Sequence, residues 1–437
     1  MIAGMMNFRK WVMVCGAGAL VLCGCEKAEE KGAKLYTQAQ EALQSEEVEV
    51  KAKAAIYLEE AADCGYAPAM CRMGQRLIVS DKAEEVARGF EWLKKAAETG
   101  DAEGLYLLGL CYDQARGTEQ DAPKAVECWT KAAEKGHAPA MVTLGMAHAN
   151  GFGGLERSIE NAVVWYGKAA ELDDPQGCYS MAVCYDQGRG VAKDAAKAVE
   201  FASRAAAQRH SDACLFMGKA HLLGYGGAAK DAAKAAPFFK TAAEAGNTEA
   251  QLQYGKLAFD GKGIKKNLPL AVRCFDLAAA SGNAEALCLL GACFDAGLGV
   301  KADAAKAVEC WKRSANAQNA RAAYFLGRCV ALGHAMKQDP AMAARLYAMS
   351  AQQGDALGAL EYAACLLDGV GVQKNEAEAV KIFEKLANAG SVPAMVKLGT
   401  CLNEGRGVAK DAAKARDWWR KAAAAGSEEA ARLLSPA

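Results

Sequence analysis

The sequence predicts an all-α fold, a right-handed α/α superhelical solenoid of about eleven helix–turn–helix repeats of about 36 residues each. Three observations predict it. A small residue follows an apolar one at Gly74, Gly109, Gly145, Ala182, Gly218, Gly255, Gly291, Gly327, Ala363 and Gly399, in steps of 35 to 37. A second ladder stays in phase with the first: Gly65, Gly100, Gly136, Asp173, Arg209, Gly246, Gly282, Gln318, Gly354, Gly390 and Gly426. The string GVAKDAAKA occurs twice without change, from Gly190 and from Gly407. With aromatics at only 7%, the composition suits short, closely packed helices better than sheets.

The chain begins with an address rather than with a repeat. Arg9 and Lys10 form a basic region, and Trp11 to Gly24 follow without a charge. These fourteen residues fall short of the roughly 20 that a permanent spanning helix needs, but they fit a secretory signal. The segment ends Leu22-Cys23-Gly24-Cys25, which resembles the bacterial lipobox. The resemblance implies cleavage before Cys25 and acylation of its thiol and new amine, and two or three acyl chains anchor stably. Residues 1–24 are thus expected to be a lipoprotein signal and 25–33 a charged tether. A divergent capping hairpin is expected over 34–66, ten regular repeats over 67–426 and a C-terminal cap over 427–437.

Each repeat divides into two helices. Helix A is short and apolar, as in the run from Ala286 to Phe294. It enters a glycine-rich loop, after which Asp121, Asp194, Asp231, Asn267, Asp303, Asp339, Asn375 or Asp411 is placed to cap helix B by accepting backbone N–H groups. Helix B carries aromatics such as Trp129, Phe239, Trp311 and Trp419, and ends at the second ladder, where a left-handed residue is expected. The recurring A-x-x-x-L-G-x-x-[YF]-x-x-G-x-G-V-x-x-D-x-x-K-A-x-x-W-x-x-K-A-A-x-x-G resembles the Sel1-like repeat, a relative of the tetratricopeptide repeat with a longer loop between its helices. The resemblance spans about residues 67 to 426. It departs around Gly74, where the Gly-x-Gly loop is missing, and at Ala149 to Gly154, where the loop is irregular.

Of the seventeen cysteines, Cys15 and Cys23 fall in the signal and Cys25 is the expected anchor, and the other fourteen follow the same period. Cys111, Cys184, Cys293, Cys329, Cys365 and Cys401 stand two residues after the first ladder. They face Cys128, Phe201, Cys310, Leu346, Ile382 and Trp418 of helix B, so small opposes large in most repeats and the volume is conserved. Cys111/Cys128 and Cys293/Cys310 break that rule: small facing small leaves either a void or a disulfide. Secreted, cysteine-rich relatives of the Sel1 type staple their hairpins, though with a different spacing, and Cys64/Cys71 is a third candidate pair. No metal and no cofactor is expected: there is no Cys-x-x-Cys, and the five histidines do not cluster with cysteines.

Lys+Arg and Asp+Glu both number 52, and loss of Arg9 and Lys10 with the signal leaves 50 against 52. So balanced a chain has no field to draw it onto nucleic acid. Ser-x-x-Lys, Gly-x-Ser-x-Gly, His-Glu-x-x-His and P-loop strings are absent, so an enzyme is not expected. Function is sought instead at positions that the repeat leaves free. Two before the first ladder stand Arg72, Leu107, Thr143, Ser180, Phe216, Gln253, Leu289, Phe325, Glu361 and Lys397. One after it stand Gln75, Leu110, Met146, Val183, Lys219, Lys256, Ala292, Arg328, Ala364 and Thr400. The two rows lie three apart and therefore share one helical face. Phe216 with Lys219, Gln253 with Lys256, and Phe325 with Arg328 are the candidate binding residues, suited to an extended acidic or C-terminal peptide. The alternative is that both rows are merely solvated and the phenylalanines pack between repeats. The expected function is an exported, lipid-anchored scaffold of the cell envelope, monomeric, binding proteins or peptides through the concave surface. A second class is a cell-wall-directed or β-lactam-binding or hydrolysing protein, which some Sel1-repeat proteins have been proposed to be.

Overall fold

The computed structural model describes residues 28–435. Cys25 and the expected signal lie outside them. Among the described residues the secondary structure is helical, with no strand. Helix α1 covers residues 28–44. It is followed by α2 (Val48–Asp63), α3 (Ala67–Ile78), α4 (Ala83–Glu98), α5 (Ala102–Gln114), α6 (Ala122–Glu134) and α7 (Ala138–Asn150). Next come α8 (Ile159–Glu171), α9 (Pro175–Gln187), α10 (Ala195–Ala207) and α11 (Ser211–Leu223). The second half holds α12 (Ala232–Glu244), α13 (Thr248–Asp260), α14 (Leu268–Ala280), α15 (Ala284–Ala296), α16 (Ala304–Asn316) and α17 (Ala320–Leu332). The chain continues through α18 (Pro340–Gln352), α19 (Ala356–Asp368), α20 (Glu376–Asn388), α21 (Val392–Glu404), α22 (Ala412–Ala424) and α23 (Glu428–Leu434).

Helix α1 takes in residues 28–33, which the sequence reading places in a tether. Ala28, Glu29, Glu30, Lys31, Ala33 and Lys34 are strong helix formers, and α1 buries Ala39 and Ala42. The burial carries the helix back into the charged stretch. Helices α1 and α2 span residues 28–63, where a capping hairpin is expected over 34–66.

The chain divides into two compact units. The first is built on α1–α11 up to Ala220, with Gly224–Ala229, and the second takes His221–Leu223 and everything from Lys230 onward. From α2 to α10 in the first unit and from α12 to α23 in the second, each helix packs on its neighbours in sequence, the arrangement of stacked hairpins. Alanines do most of the close packing: Ala96, Ala125, Ala132, Ala169 and Ala205 in the first unit and Ala242, Ala278, Ala307 and Ala379 in the second are fully buried. Their lack of bulk lets backbones approach, while Phe239, Phe275 and Phe383 fill the remaining volume.

The caps fall where the sequence puts them. The side chains of Asp121, Asp194, Asp231, Asn267, Asp303, Asp339, Asn375 and Asp411 each accept an N–H at the start of a B helix. All eleven residues of the second ladder have a left-handed φ between 55° and 93°, including the non-glycines Asp173, Arg209 and Gln318. The irregular loop after α7 contains a short 3-10 turn, Phe152–Gly154, and a matching turn, Tyr225–Gly227, follows α11.

Candidate protein-binding face

The first ladder works by being small. All ten of its residues are buried, and Gly74, Gly109, Gly145, Gly255, Gly291, Gly327 and Gly399 lie where helix A meets helix B. A Cβ on Gly291 would come within 2.6 Å of Trp311 Nε1, and one on Gly327 within 2.7 Å of Tyr347 Cε1. Gly109 and Gly399 seat Trp129 and Trp419 in the same way. Where the marker is Ala182, the corresponding position of helix B holds the buried Ala202. Two indoles turn the close approach into a bond: Trp311 Nε1 donates to the Cys288 carbonyl at 3.1 Å, and Trp419 Nε1 to the Val396 carbonyl at 3.3 Å.

With that residue fixed against helix B, the positions two before and one after it turn outward. None of the twenty row residues is buried. Three pairs of successive A helices touch, α3 with α5 and α7 with α9 in the first unit and α17 with α19 in the second, and no pair of B helices approaches as closely. Within each unit the A helices therefore lie on the inside of the local curve. Clefts of the first unit open on this face. One of about 140 Å³ is lined by Gln75, Leu107, Leu110 and Arg116, another of the same size by Ser180 and Val183 beside Tyr179 and Arg189. A wider one, about 700 Å³, lies where α1 and α2 meet Arg72 and Gln75 of α3. Sequence reasoning had Arg72 and Gln75 in its rows but missed this cleft, because nothing in the pattern shows how the divergent hairpin leans on the first repeat.

The six residues singled out in the sequence are accessible, yet most are already engaged. Phe216 sits edge-on to Tyr225 with ring centroids 6.2 Å apart. Phe325 stacks on Trp311 at 5.1 Å. Gln253 Nε2 donates to Glu249 at 2.8 Å, and Lys256 Nζ lies 2.7 Å from Glu285. Arg328 lies over the ring of Tyr324, 5.8 Å from its centroid. Phe216 and Lys219 belong to the first unit and the other four to the second.

The fourteen described cysteines carry free thiols. Cys111 and Cys128 share one apolar cluster, and Cys293 and Cys310 another. Burial pushes the Cys111 thiol up to about 12 and those of Cys128 and Cys293 to about 11. Cys71 is raised too, mainly by burial and further by Asp101, whose Oδ1 accepts its S–H at 3.4 Å. Such thiols are weak nucleophiles and behave as small apolar groups. Among the described residues no group of three or more His, Cys, Asp or Glu is placed to hold a metal ion. No described helix is long and apolar enough to cross a membrane.

A second set of caps escaped the sequence reading. The side chains of Asp101, His137, Asp174, His210, Asn247, Asn283, Asn319 and Asp355 each accept an N–H at the start of an A helix. Each stands directly after a left-handed residue of the second ladder, which is the signal that could have found them.

These features define a class: an α/α hairpin-repeat protein whose conserved geometry is spent on packing and whose variable positions line one accessible face. The Sel1 repeat family matches eleven consecutive segments, 47–66, 67–101, 102–137, 138–174, 175–210, 211–247, 248–283, 284–319, 320–355, 356–391 and 392–427. The chain belongs to the Sel1 repeat family, and is a helical-repeat scaffold of the kind that serves protein–protein interaction. It is similar to a protective antigen of uropathogenic Escherichia coli strains displaying an SLR fold, with 30% identity and a TM-score of 0.75 over 86% of this chain and 80% of that one. A Sel1 repeat protein from Oxalobacter formigenes is 23% identical with a TM-score of 0.42, covering 69% of this chain and 99% of that one. Among curated proteins, the chain is 30% identical over 106 residues to the ERAD-associated E3 ubiquitin-protein ligase component HRD3B of Arabidopsis thaliana. That match covers 24% of this chain and only 16% of the plant protein.

Proposed function

We propose that this chain is an exported, lipid-anchored scaffold that binds other proteins or peptides of the cell envelope through the face of its A helices. One observation carries the binding face: the ten marker residues are all buried, and the twenty variable residues flanking them are all accessible. A surface kept open in every repeat, and chemically different in each, is what recognition of a partner along an array requires. The plant relative is named as a component of a ligase, which suits the same reading. Export and anchoring rest on the sequence from Arg9 to Cys25. No observation favours the wall-directed or β-lactam-directed alternative.

A crosslinked pull-down from native envelopes tests the face, with wild type beside Lys219→Glu/Arg328→Glu. Loss of a captured protein with the variant is expected, while equal recovery places the site elsewhere on the repeats. Replacing Cys25 by Ser is expected to release the protein from the membrane fraction and abolish its acyl mass. A Cys25→Ser protein that stays membrane-bound would overturn the anchor.

A further inference from the structure

We infer that the 700 Å³ cleft between the capping hairpin and the first full repeat docks an acidic peptide segment that also carries apolar side chains. The inference rests on the proposed binding face and gives it a place and a ligand chemistry. The cleft's volume falls within the roughly 300–1,000 Å³ of ligand sites, and it is open rather than enclosed, as a chain segment needs.

Its chemistry is two-fold. Tyr36, Leu43 and Leu58 give it apolar surface, with small Ala39, Ala54 and Ala55 between them leaving the depth. Leu43 is 61% exposed, so its side chain offers apolar surface at the mouth of the cleft. Lys51, Arg72 and Arg76 supply three cations, and no carboxylate lines the cleft. Among the described residues the side chains of these three have no ion-pair partner. Three other arginines of the array are instead ion-paired: Arg204 to Asp173, Arg321 to Asp355, and Arg406 to Asp368 and Glu376. Three unpaired cations around an apolar floor complement carboxylates flanking leucine or phenylalanine.

The cleft also continues. Gln75 lines both it and the neighbouring 140 Å³ cleft, where Leu107 and Leu110 add apolar surface and Arg116 a fourth cation. Glu103 accepts from Gln75 Nε2 at 3.1 Å beside this path. An extended segment entering beside Lys51 and passing Arg72 would follow the A-helix face toward Arg116.

The test is fluorescence anisotropy of the mature protein with a labelled peptide of alternating glutamate, leucine and phenylalanine, beside the same peptide with lysine for every glutamate. The acidic peptide is expected to saturate the protein and the basic one not to bind. Arg72→Glu/Arg76→Glu is expected to weaken binding at least about tenfold, because two attractive charges become repulsive. Lys312→Glu/Arg345→Glu, an equal charge change on exposed positions of B helices, is expected to leave it unchanged. Leu43→Glu probes the apolar wall and should weaken binding as well; it is an exposed position, and circular dichroism checks the fold of each variant. Equal binding of both peptides, binding that survives Arg72→Glu/Arg76→Glu, or an oligouridine that competes more strongly than the acidic peptide would each overturn the assignment. If the peptide fails while the pull-down still responds to Lys219→Glu/Arg328→Glu, the cleft falls and the binding face stands. If both fail, both fall.

Discussion

Arg321 and Asp355 stand 34 residues apart and hold two successive repeats together: Arg321 Nε lies 2.6 Å from Asp355 Oδ2. The other oxygen of the same carboxylate accepts the Gly358 N–H at 2.9 Å and so caps α19. The carboxylate side chain is only 6% exposed, whereas that of Arg321 is 50% exposed. The asymmetry ranks the variants. Asp355→Ala loses both a cap and a charge-assisted bond and is expected to cost about 2 kcal/mol. Asp355→Asn keeps the cap and should cost less. Urea unfolding gives the order, and hydrogen exchange at the Gly358 amide localises it; an Asn variant as unstable as the Ala variant would show that the cap is not the larger contribution.

Replacing a helical glycine by alanine normally stabilises, by about 1 kcal/mol. At Gly291 the sign reverses. A Cβ there would meet three atoms of the Trp311 indole, at 2.6, 2.7 and 3.0 Å, and the indole is itself held by the Cys288 carbonyl. Gly291→Ala is expected to destabilise by about 1–3 kcal/mol through overpacking. Trp311→Leu in the same background should recover part of the loss. Thermal unfolding of the single and double variants checks this, and a stabilising Gly291→Ala would show that the indole can yield.

The second ladder separates backbone from packing. Gly282 has φ 81° and open space where a Cβ would point, so Gly282→Ala should cost about 1 kcal/mol for conformation alone. Gln318 occupies the same place in another repeat at φ 61°. Gln318→Gly is expected to stabilise by about 0.5–1 kcal/mol, the strain relieved exceeding the added freedom of the unfolded chain. Opposite shifts of the urea midpoint at the two sites are the expected result; shifts of the same sign would refute the account.

The thiols give a chemical check. With Cys111 raised to about 12 and Cys293 to about 11, almost no thiolate exists near pH 8, and the native protein should react slowly with aromatic disulfide reagents. Unfolding should release the buried thiols to rapid reaction. A titre that falls by two for each pair, on unfolding without reductant, would mark the bridges Cys111–Cys128 and Cys293–Cys310. Rapid reaction of the native protein would show that these clusters open.

Most of the architecture was legible because each repeat solves one packing problem and the solution leaves a periodic trace. The Gly291–Trp311 contact recurs as Gly327–Tyr347 and Gly399–Trp419, so the ladder that seats these rings could be read as spacing alone. Asp303 and Asn375 announced their B helices because a capping side chain must stand at a fixed place. What the period does not fix was harder to see. The engagement of Lys256 by Glu285 depends on which residue the next repeat presents, and the 700 Å³ cleft depends on how α1 and the divergent α2 lean on α3. The caps of the A helices were missed as a set because they stand directly after the left-handed residue, and at His137 and His210 the cap is moreover an imidazole in the place that Asn247 fills elsewhere.

Those two histidines make stability depend on pH. His137 Nδ1 accepts the Ala140 N–H at 3.2 Å, and His210 Nδ1 accepts the Ala213 N–H at 3.3 Å, so each ring caps its helix only when neutral. His210 Nε2 then donates to Gln176 Oε1 at 3.0 Å. Burial lowers both values below the usual histidine range. It is opposed by Glu103, Asp101 and Asp174 at His137, and by Asp212 and Asp174 at His210. A depressed folded value means that the unfolded chain takes up protons first. The contribution is therefore complete above the unfolded value of about 6.5 and is lost as pH falls from there through the folded values. The melting temperature should drop between about pH 7.5 and about pH 5.5, before the carboxylate caps begin to titrate. His137→Asn/His210→Asn installs the cap that Asn247 already provides elsewhere, without a titrating ring, and should flatten this drop while leaving stability at the upper pH nearly unchanged. Circular dichroism melts of both proteins at the two pH values make the comparison. An equal drop in the asparagine variant would locate the pH dependence in other groups.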